Sequence, residues 1–342
     1  MNKQTVLLLF GGESSEHEVS IASARNVYKA LDTTQYNVQL GFIDTNGKWW
    51  LRQNIDSPSD KQLLPMLGAG CFGVVSSDEV VRPDVVLPIL HGKNGEDGAV
   101  QGLAQLLHIP IVGCDMISSA ICMDKIATKE VMVANNIKVV PYVVYRKGEV
   151  RPDFQELTQS LGKTVFIKPA RSGSSVGVSK VRTAAELDHA LEEALSQDSS
   201  VLIEKAMDIR ELEVAVLGNP PDHTASVVGE VVAGADFYSY EAKYNASSSS
   251  HVEIPANINQ EKSAEIRALA EDIYSLLGCK GLARIDFFLS ENTEIYLNEV
   301  NTLPGFTDIS MYPKMWDYSG LSYSNLINTL LRNALASTDD NK

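Results

Sequence analysis

The stretch 168-KPARSGSSVGVSK-180 decides how the rest of the chain is read. Its glycines and serines let backbone N–H groups turn toward an anion without Cβ obstruction, and Lys168 adds a positive charge one loop away. The familiar phosphate loop runs G-x-x-x-x-G-K-[ST] into a helix. Here the lysine precedes the glycines, and the residues that follow alternate as a strand does. That order predicts the tip of a β-hairpin, a flap rather than a cradle. Taken alone the stretch reads as readily as an exposed hairpin tip with no ligand, so its meaning rests on its surroundings.

Strands are predicted on both sides of it, TVFIK (164–168) and SVGVSKV (175–181), followed by a helix over 184–195 and the strand VLIEK (201–205). Upstream, the chain opens with the buried-strand run VLLLF (6–10), a glycine turn, and a helix whose start is marked by the capping-box spacing of Ser15 and Glu18. The strands VQLGFID (38–44) and VVLPIL (85–90) complete a βαβ signature, hence a parallel sheet. Residues 45–80 read as an irregular excursion, and helices are expected over 99–107 and 118–135. Downstream come the strands LEVAVLG (212–218) and SVVGEVVA (226–233), the polar, serine-rich segment 234–253, a helix over 261–277, and a hairpin made of RIDFFLS and EIYLNEVN.

That hairpin carries the second signal. Residues two apart on a strand share a face, so Arg284 goes with Asp286 and Glu299 with Asn301. A turn over 290–293 sets Arg284 opposite Glu299, with all four polar groups on one side. Two carboxylates and a carboxamide are hard oxygen donors suited to Mg²⁺ carrying nucleotide phosphates. Two further clusters follow strands: 91-HGKNGEDG-98 and 11-GGESSEHEVS-20. The ends of strands are where open α/β sheets bind ligands. The second cluster lacks G-x-G-x-x-G, and its glutamates at a helix start repel phosphate and attract an ammonium group. This argues against a nicotinamide dehydrogenase.

The bulk numbers narrow the class. A chain of 342 residues implies two or three domains, and 44 acidic against 29 basic residues give a net charge of −15, which disfavours nucleic acid as a partner. The four cysteines are scattered without a C-x-x-C, consistent with a reducing cytoplasm. No stretch approaches a membrane span or a signal segment, so neither membrane nor export is expected.

In this order the motifs GGESSEHEVS, LHGKNGEDG, KPARSGSSVGVSK, EAKY, RIDFF and NEVNTLPGFTDIS resemble those of the D-alanine–D-alanine ligases of the ATP-grasp superfamily, over essentially the whole chain. The resemblance implies a three-domain α/β ATP-grasp fold: a parallel-sheet substrate domain over 1–117, a flap-bearing domain over 118–207, and a C-terminal domain over 208–342 that carries the metal site and a lid at about 234–253. ATP would lie between the last two. Lys125 and Lys168 resemble the phosphate- and adenine-side lysines, the segment Glu204, Lys205 to Met207 the strand that meets adenine, and Glu211 the ribose-binding acid. Ser174 and Ser175 belong to the phosphate flap.

Asp286, Glu299 and Asn301 would hold two Mg²⁺ or Mn²⁺. Glu16, with His91 nearby, would take the first D-alanine's ammonium. Arg284 and the Gly305 N–H would stabilise the oxyanion. Ser310 and Lys243-Tyr244 would meet the second substrate, and Glu16, Ser174 and Tyr244 form a relay. The reaction implied is ATP-dependent joining of two D-alanines through a D-alanyl phosphate, for peptidoglycan precursors, by a cytoplasmic homodimer. Tyr244 in EAKY argues for an amine nucleophile over D-lactate. A ligase using D-lactate or D-serine, and a non-catalytic nucleotide-binding regulator on the same fold, are the rival readings.

Overall fold

Strand β1 (Gln4–Gly11) forms around Val6–Phe10, whose five side chains are all fully buried. Because neighbours on a strand face opposite sides, Val6, Leu8 and Phe10 pack under α1 (His17–Ala30), while Leu7 and Leu9 pack with Val100 and Leu107 of the α2 region (Ala99–Leu106). Covered on both faces, β1 runs parallel to β2 (Tyr36–Ile43) on one side and β7 (Val85–Leu90) on the other. The computed structural model describes residues 3–174, 176–232 and 251–336.

Two expectations for this region change. The stretch over 45–80 is ordered: β3 (Trp49–Arg52), β4 (Gln62–Met66), β5 (Cys71–Val74) and β6 (Val80–Val81) extend the sheet antiparallel in the order β6-β5-β4-β3-β2-β1-β7. Strands of two to five residues hold too few alternations to register as a period, yet Leu63 and Phe72 are buried. Nor is the capping box at Ser15 formed. Helix α1 starts at His17 with Glu16 as its N-cap, and Glu16 makes no side-chain cap bond because its carboxylate is turned elsewhere.

The expected single helix over 118–135 is two, α3 (Met116–Met123) and α4 (Lys125–Ala134). Asp124 ends the first in an extended conformation (ψ 101°) and caps the second, accepting from Ile126 N at 3.0 Å and Ala127 N at 3.1 Å. The break places Lys125 in the first turn of α4.

The next sheet is four-stranded, in the order β10-β9-β11-β8, and every pair in it is antiparallel: β8 (Tyr142–Arg146), β9 (Val165–Pro169), β10 (Ser179–Val181) and β11 (Ser200–Lys205). α5 (Phe154–Leu161) and α6 (Ala184–Gln197) cover one face, and α6 opens with a complete Thr183–Glu186 capping box. Val165 pairs with Val181, so the opening stretch does join two antiparallel strands, although the second begins only at Ser179.

The third sheet, β14-β13-β12-β15-β16, comprises β12 (Ile209–Asn219), β13 (Asp222–Val232), β14 (His251–Glu253), β15 (Gly281–Ser290) and β16 (Ile295–Asn301). α7 (Gln260–Leu276) packs on it with Cys122 and Met132 of α3 and α4. The closing helices α8 (Met311–Tyr318) and α9 (Tyr323–Ala336) share one core with α1, β1 and β7. This last packing brings the start of α8 toward the start of α1.

Candidate active site

Hairpin β15–β16 positions the acidic cluster. Its register sets Arg284 opposite Asn301 and Asp286 opposite Glu299, because a bulge between Asp286 and Phe287 shifts the ladder. The expected pairing of Arg284 with Glu299 is thus displaced by two residues, while all four side chains keep the same face. The apolar face, with Ile285, Phe287 and Leu289, is buried. Arg284 donates from Nε and Nη2 to Asp286, both at 2.7 Å, and its Nε lies 3.1 Å from Glu213. Burial alone would lower the guanidinium; Asp286, Glu213 and Glu299 outweigh it and hold Arg284 charged, well above its ordinary range. Asn301 Nδ2 donates to Asp286 at 2.9 Å.

The flap reaches the loop that follows β1. Ser174, at a left-handed φ of 52°, donates to Glu16 Oε1 at 2.5 Å. A Cβ on Gly92 would stand 3.4 Å from the other Glu16 oxygen and one on Gly173 3.7 Å, so glycines line the carboxylate on two sides. Arg171 anchors the flap's base, donating to Asp198 from Nη2 at 2.6 Å and Nε at 3.0 Å. Below Glu16, the buried His91 has Nδ1 3.1 Å from the Leu303 carbonyl oxygen, which can only accept, so Nδ1 carries a proton. Burial opposes charge on His91, but Glu96, Glu16 and the Leu303 carbonyl prevail and raise it.

A second set lies between the four-stranded and five-stranded sheets. Glu204, 3% exposed, is clamped by Lys168 at 2.6 Å and Lys129 at 2.8 Å. Burial would raise its carboxyl, yet the two ammonium groups hold it down at about 2. Lys168 is drawn upward against its burial by Glu204, with Glu299 and Glu211 adding to the field, whereas burial pulls Lys129 below the usual lysine range. The Lys168 ammonium also stands 5.9 Å from the centre of the Phe288 ring, and Phe288 pairs with Glu211 in the sheet. Lys205 is exposed at the end of β11, and Met207 follows in the connection to β12.

A cavity of about 400 Å³ draws the motifs together. Glu16, His91, Lys125, Ser174, Arg284 and Glu299 line it, and so do Asn301, Gly305 and Ser310. Lys125 bridges flap and hairpin, donating to the Ser172 carbonyl at 2.8 Å and standing 3.4 Å from Glu299. Gly305 has no room for a side chain, since a Cβ would come within 2.7 Å of Ser310 Oγ, which accepts from Thr307 N at 3.0 Å. Lys168, Glu204, Lys205, Met207, Glu211 and Asp286 lie outside this wall; the first three and Met207 belong to the β9–β11 side. Ser175, Lys243, Tyr244 and most of the expected lid lie outside the described residues.

Sequence reasoning passed over Lys129, one helical turn after Lys125, and Glu213, which alternates with Glu211 and pairs with Asp286. Spacing pointed to both. Glu96, in the LHGKNGEDG motif, lines the cavity beside His91, with its carboxyl raised by burial and by Glu16.

The D-ala D-ala ligase N-terminus and C-terminus families match residues 5–114 and 131–332. The chain is 46% identical to D-alanine–D-alanine ligase B of Clostridium tetani, over 98% of this chain and 94% of the relative. It is 42% identical to D-alanine–D-alanine ligase A of Chromobacterium violaceum, over 98% and 96%. Among solved structures it is similar to the D-alanine-D-alanine ligase from Coxiella burnetii (TM-score 0.90, 33% identity, 100% of this chain and 96% of that one). It is also similar to VanG D-Ala:D-Ser ligase from Enterococcus faecalis (TM-score 0.89, 35% identity, 97% and 100%).

Proposed function

This chain belongs to the D-alanine–D-alanine ligase family and has its ATP-grasp fold, and from that premise we propose how its residues carry out the reaction. The protein is an ATP-dependent ligase that joins two D-alanines for peptidoglycan precursor synthesis. The observation that carries the residue roles is convergence: the Glu16 loop, the flap, and the hairpin with the Gly305–Ser310 loop that follows it, three stretches far apart in the chain, close around one cavity.

A free carboxylate is a poor acyl donor, so the first D-alanine is phosphorylated on its carboxylate by ATP, giving D-alanyl phosphate and ADP. The second amine then attacks the acyl carbon, and the tetrahedral adduct expels phosphate as the peptide bond forms. Glu16 holds the first ammonium group, with His91 and Glu96 behind it. Lys125 faces the transferring phosphoryl group, and the Ser174 flap keeps water from the acyl phosphate, continuing through Tyr244 in the relay. Lys168, with Glu204 to Met207, borders the adenine side, and Glu211 the ribose.

Arg284 and the Gly305 N–H stabilise the oxyanion, a contribution of about 3 kcal/mol for one donor. Arg284 keeps its orientation through Asp286 and Glu213, which leaves guanidinium donors for that role.

Asp286, Glu299 and Asn301 suit two magnesium ions: their donors are carboxylate and amide oxygens on one sheet face, and Asn301 turns its nitrogen to Asp286, freeing its oxygen from that contact. When bound, Mg²⁺ neutralises charge on the nucleotide phosphates. Among the described residues no helix is long and apolar enough to cross a membrane, in line with a cytoplasmic site of action, and a homodimer is the assembly we propose.

The test is phosphate release with ATP, Mg²⁺ and D-alanine, repeated with D-lactate or D-serine as second substrate. Release with D-alanine alone supports the reading. A D-serine rate exceeding that of D-alanine would move the protein to the D-Ala:D-Ser activity named for the Enterococcus faecalis structure.

A further inference from the structure

Helix α1 carries two serines with buried hydroxyls, Ser20 and Ser23. Ser20 serves the first sheet alone: it accepts from Gly11 N at 2.8 Å and donates to the Ile89 carbonyl, tying α1 to β1 and β7. The partners of Ser23 lie elsewhere. Its Oγ stands 3.4 Å from Nε2 of His91, in the loop after β7, and accepts from Phe306 N at 3.3 Å, 283 residues away. A buried hydroxyl costs free energy unless it is bonded, and among the described residues these two are its partners.

Together with His91, that hydroxyl closes a clamp on the loop between β16 and α8. His91 donates from Nδ1 to the Leu303 carbonyl at 3.1 Å, so one arm holds Leu303 and the other holds Phe306. The Tyr323 hydroxyl of α9 secures the same stretch, donating to the Phe306 carbonyl at 2.7 Å. Gly305 lies between these anchors. Pro304 has no N–H with which to fix the loop, and Gly305, lacking a Cβ, does not fix its own dihedral angles. The direction of the Gly305 amide is therefore set by its neighbours. Among the described residues that amide has no hydrogen-bond partner, which leaves it available in the cavity that Gly305 lines. The Ser23 hydroxyl suits either form of the imidazole: it donates to a bare Nε2 and accepts from a protonated one, with a lone pair left for Phe306.

We propose that Ser23 is a positioning residue for acyl transfer: by bonding His91 and the Phe306 N–H at once, it orients the Gly305 N–H toward the oxyanion that forms when the second amine attacks. The effect is confined to that step, since no tetrahedral carbon arises while the carboxylate is being phosphorylated. Ser23 follows Glu16 by seven residues, about two turns of α1. The helix that presents a carboxylate to the first ammonium group thus also steadies the donor for the second step. This rests on the ligase reading above and on Gly305 as an oxyanion donor.

The test separates the two steps in a single turnover. ADP and acyl phosphate, trapped as hydroxamate after quenching, report the first, and D-alanyl-D-alanine reports the second. In Ser23→Ala the rate of dipeptide formation from the acyl phosphate should fall about 10- to 100-fold, somewhat less than removal of a whole oxyanion donor. The rate of ADP formation and the KM for ATP should change by less than about twofold, so acyl phosphate accumulates, and Ser23→Thr, which keeps the hydroxyl, should recover most of the loss. Ser23→Cys replaces the alanine variant if that variant fails to fold. Ser20→Ala is the control: it removes a buried hydroxyl from the same helix and should lower thermal stability without separating the two rates. Equal slowing of both steps in Ser23→Ala, or an unchanged rate of dipeptide formation, would overturn the assignment, as would the same separation in Ser20→Ala. Absence of ADP formation by the wild type with D-alanine would instead overturn the ligase reading, and the assignment with it.

Discussion

Replacing Glu204 by glutamine leaves two buried ammonium groups, 2.6 and 2.8 Å from the former carboxylate oxygens, facing a neutral amide. The cost follows from the same geometry. The Glu204 carboxyl is held at about 2 against an ordinary value of 4.5, a gap that corresponds to about 3 kcal/mol at about 1.4 kcal/mol per unit. Breaking a buried pair from one side costs about 3–5 kcal/mol in general, which agrees. Because the folded pKa is depressed, this contribution is present above the unfolded value and is lost as pH falls toward the folded one. The difference between wild type and Glu204→Gln should therefore be about 3 kcal/mol at neutral pH and about 2 kcal/mol near pH 3.5, approaching zero below pH 2. Urea titrations of both proteins at each pH, followed by far-UV circular dichroism, measure it. A difference that stays constant with pH would mean that Glu204 is not an ionised member of this clamp. A difference near zero at pH 7 would mean that its lysines are not buried against it.

Gly305→Ala should lower stability by about 1–3 kcal/mol and reduce turnover, since the new methyl lies 2.7 Å from Ser310 Oγ; thermal melts should show part of the loss recovered in the Gly305→Ala, Ser310→Ala double variant. Glu16→Ala and Ser174→Ala should be non-additive in kcat/KM for D-alanine by about 1.5–3 kcal/mol, because either change removes the same 2.5 Å bond between the flap and the loop after β1; strictly additive losses in the phosphate-release assay would exclude that coupling. Glu299→Gln combined with Asn301→Ala should abolish Mg²⁺-dependent turnover while circular dichroism stays that of the wild type, and retained activity would remove the metal assignment.

Much of the site was legible because its chemistry is carried by short strands with alternating polar and apolar residues. RIDFF and EIYLNEVN announce both their pairing and their polar face, and the lysine-before-glycine order of 168–180 announces a hairpin flap. The bulge next to Asp286 left no such mark, since an extra residue in one strand changes register without changing composition. The break at Asp124 is equally quiet: MISSAICMDKIATKEVM reads as continuous helix, and only the extended backbone of one aspartate turns Lys125 into the cavity. The strands over 49–81 are too short to show a period. That Lys129 would pair with Glu204 was beyond reach for another reason. A lysine on a helix and a glutamate on a strand become a buried pair only through tertiary packing, which no local pattern encodes.

The central claim is that an acyl phosphate links the two halves of the reaction. It is tested most directly with D-alanine labelled with ¹⁸O in its carboxylate. Phosphorylation of that carboxylate and attack by the second amine leave one carboxylate oxygen on the departing phosphate. One ¹⁸O should appear in phosphate for each D-alanyl-D-alanine formed, read by mass spectrometry of both products. Unlabelled phosphate alongside dipeptide, or no dipeptide at all, would contradict it.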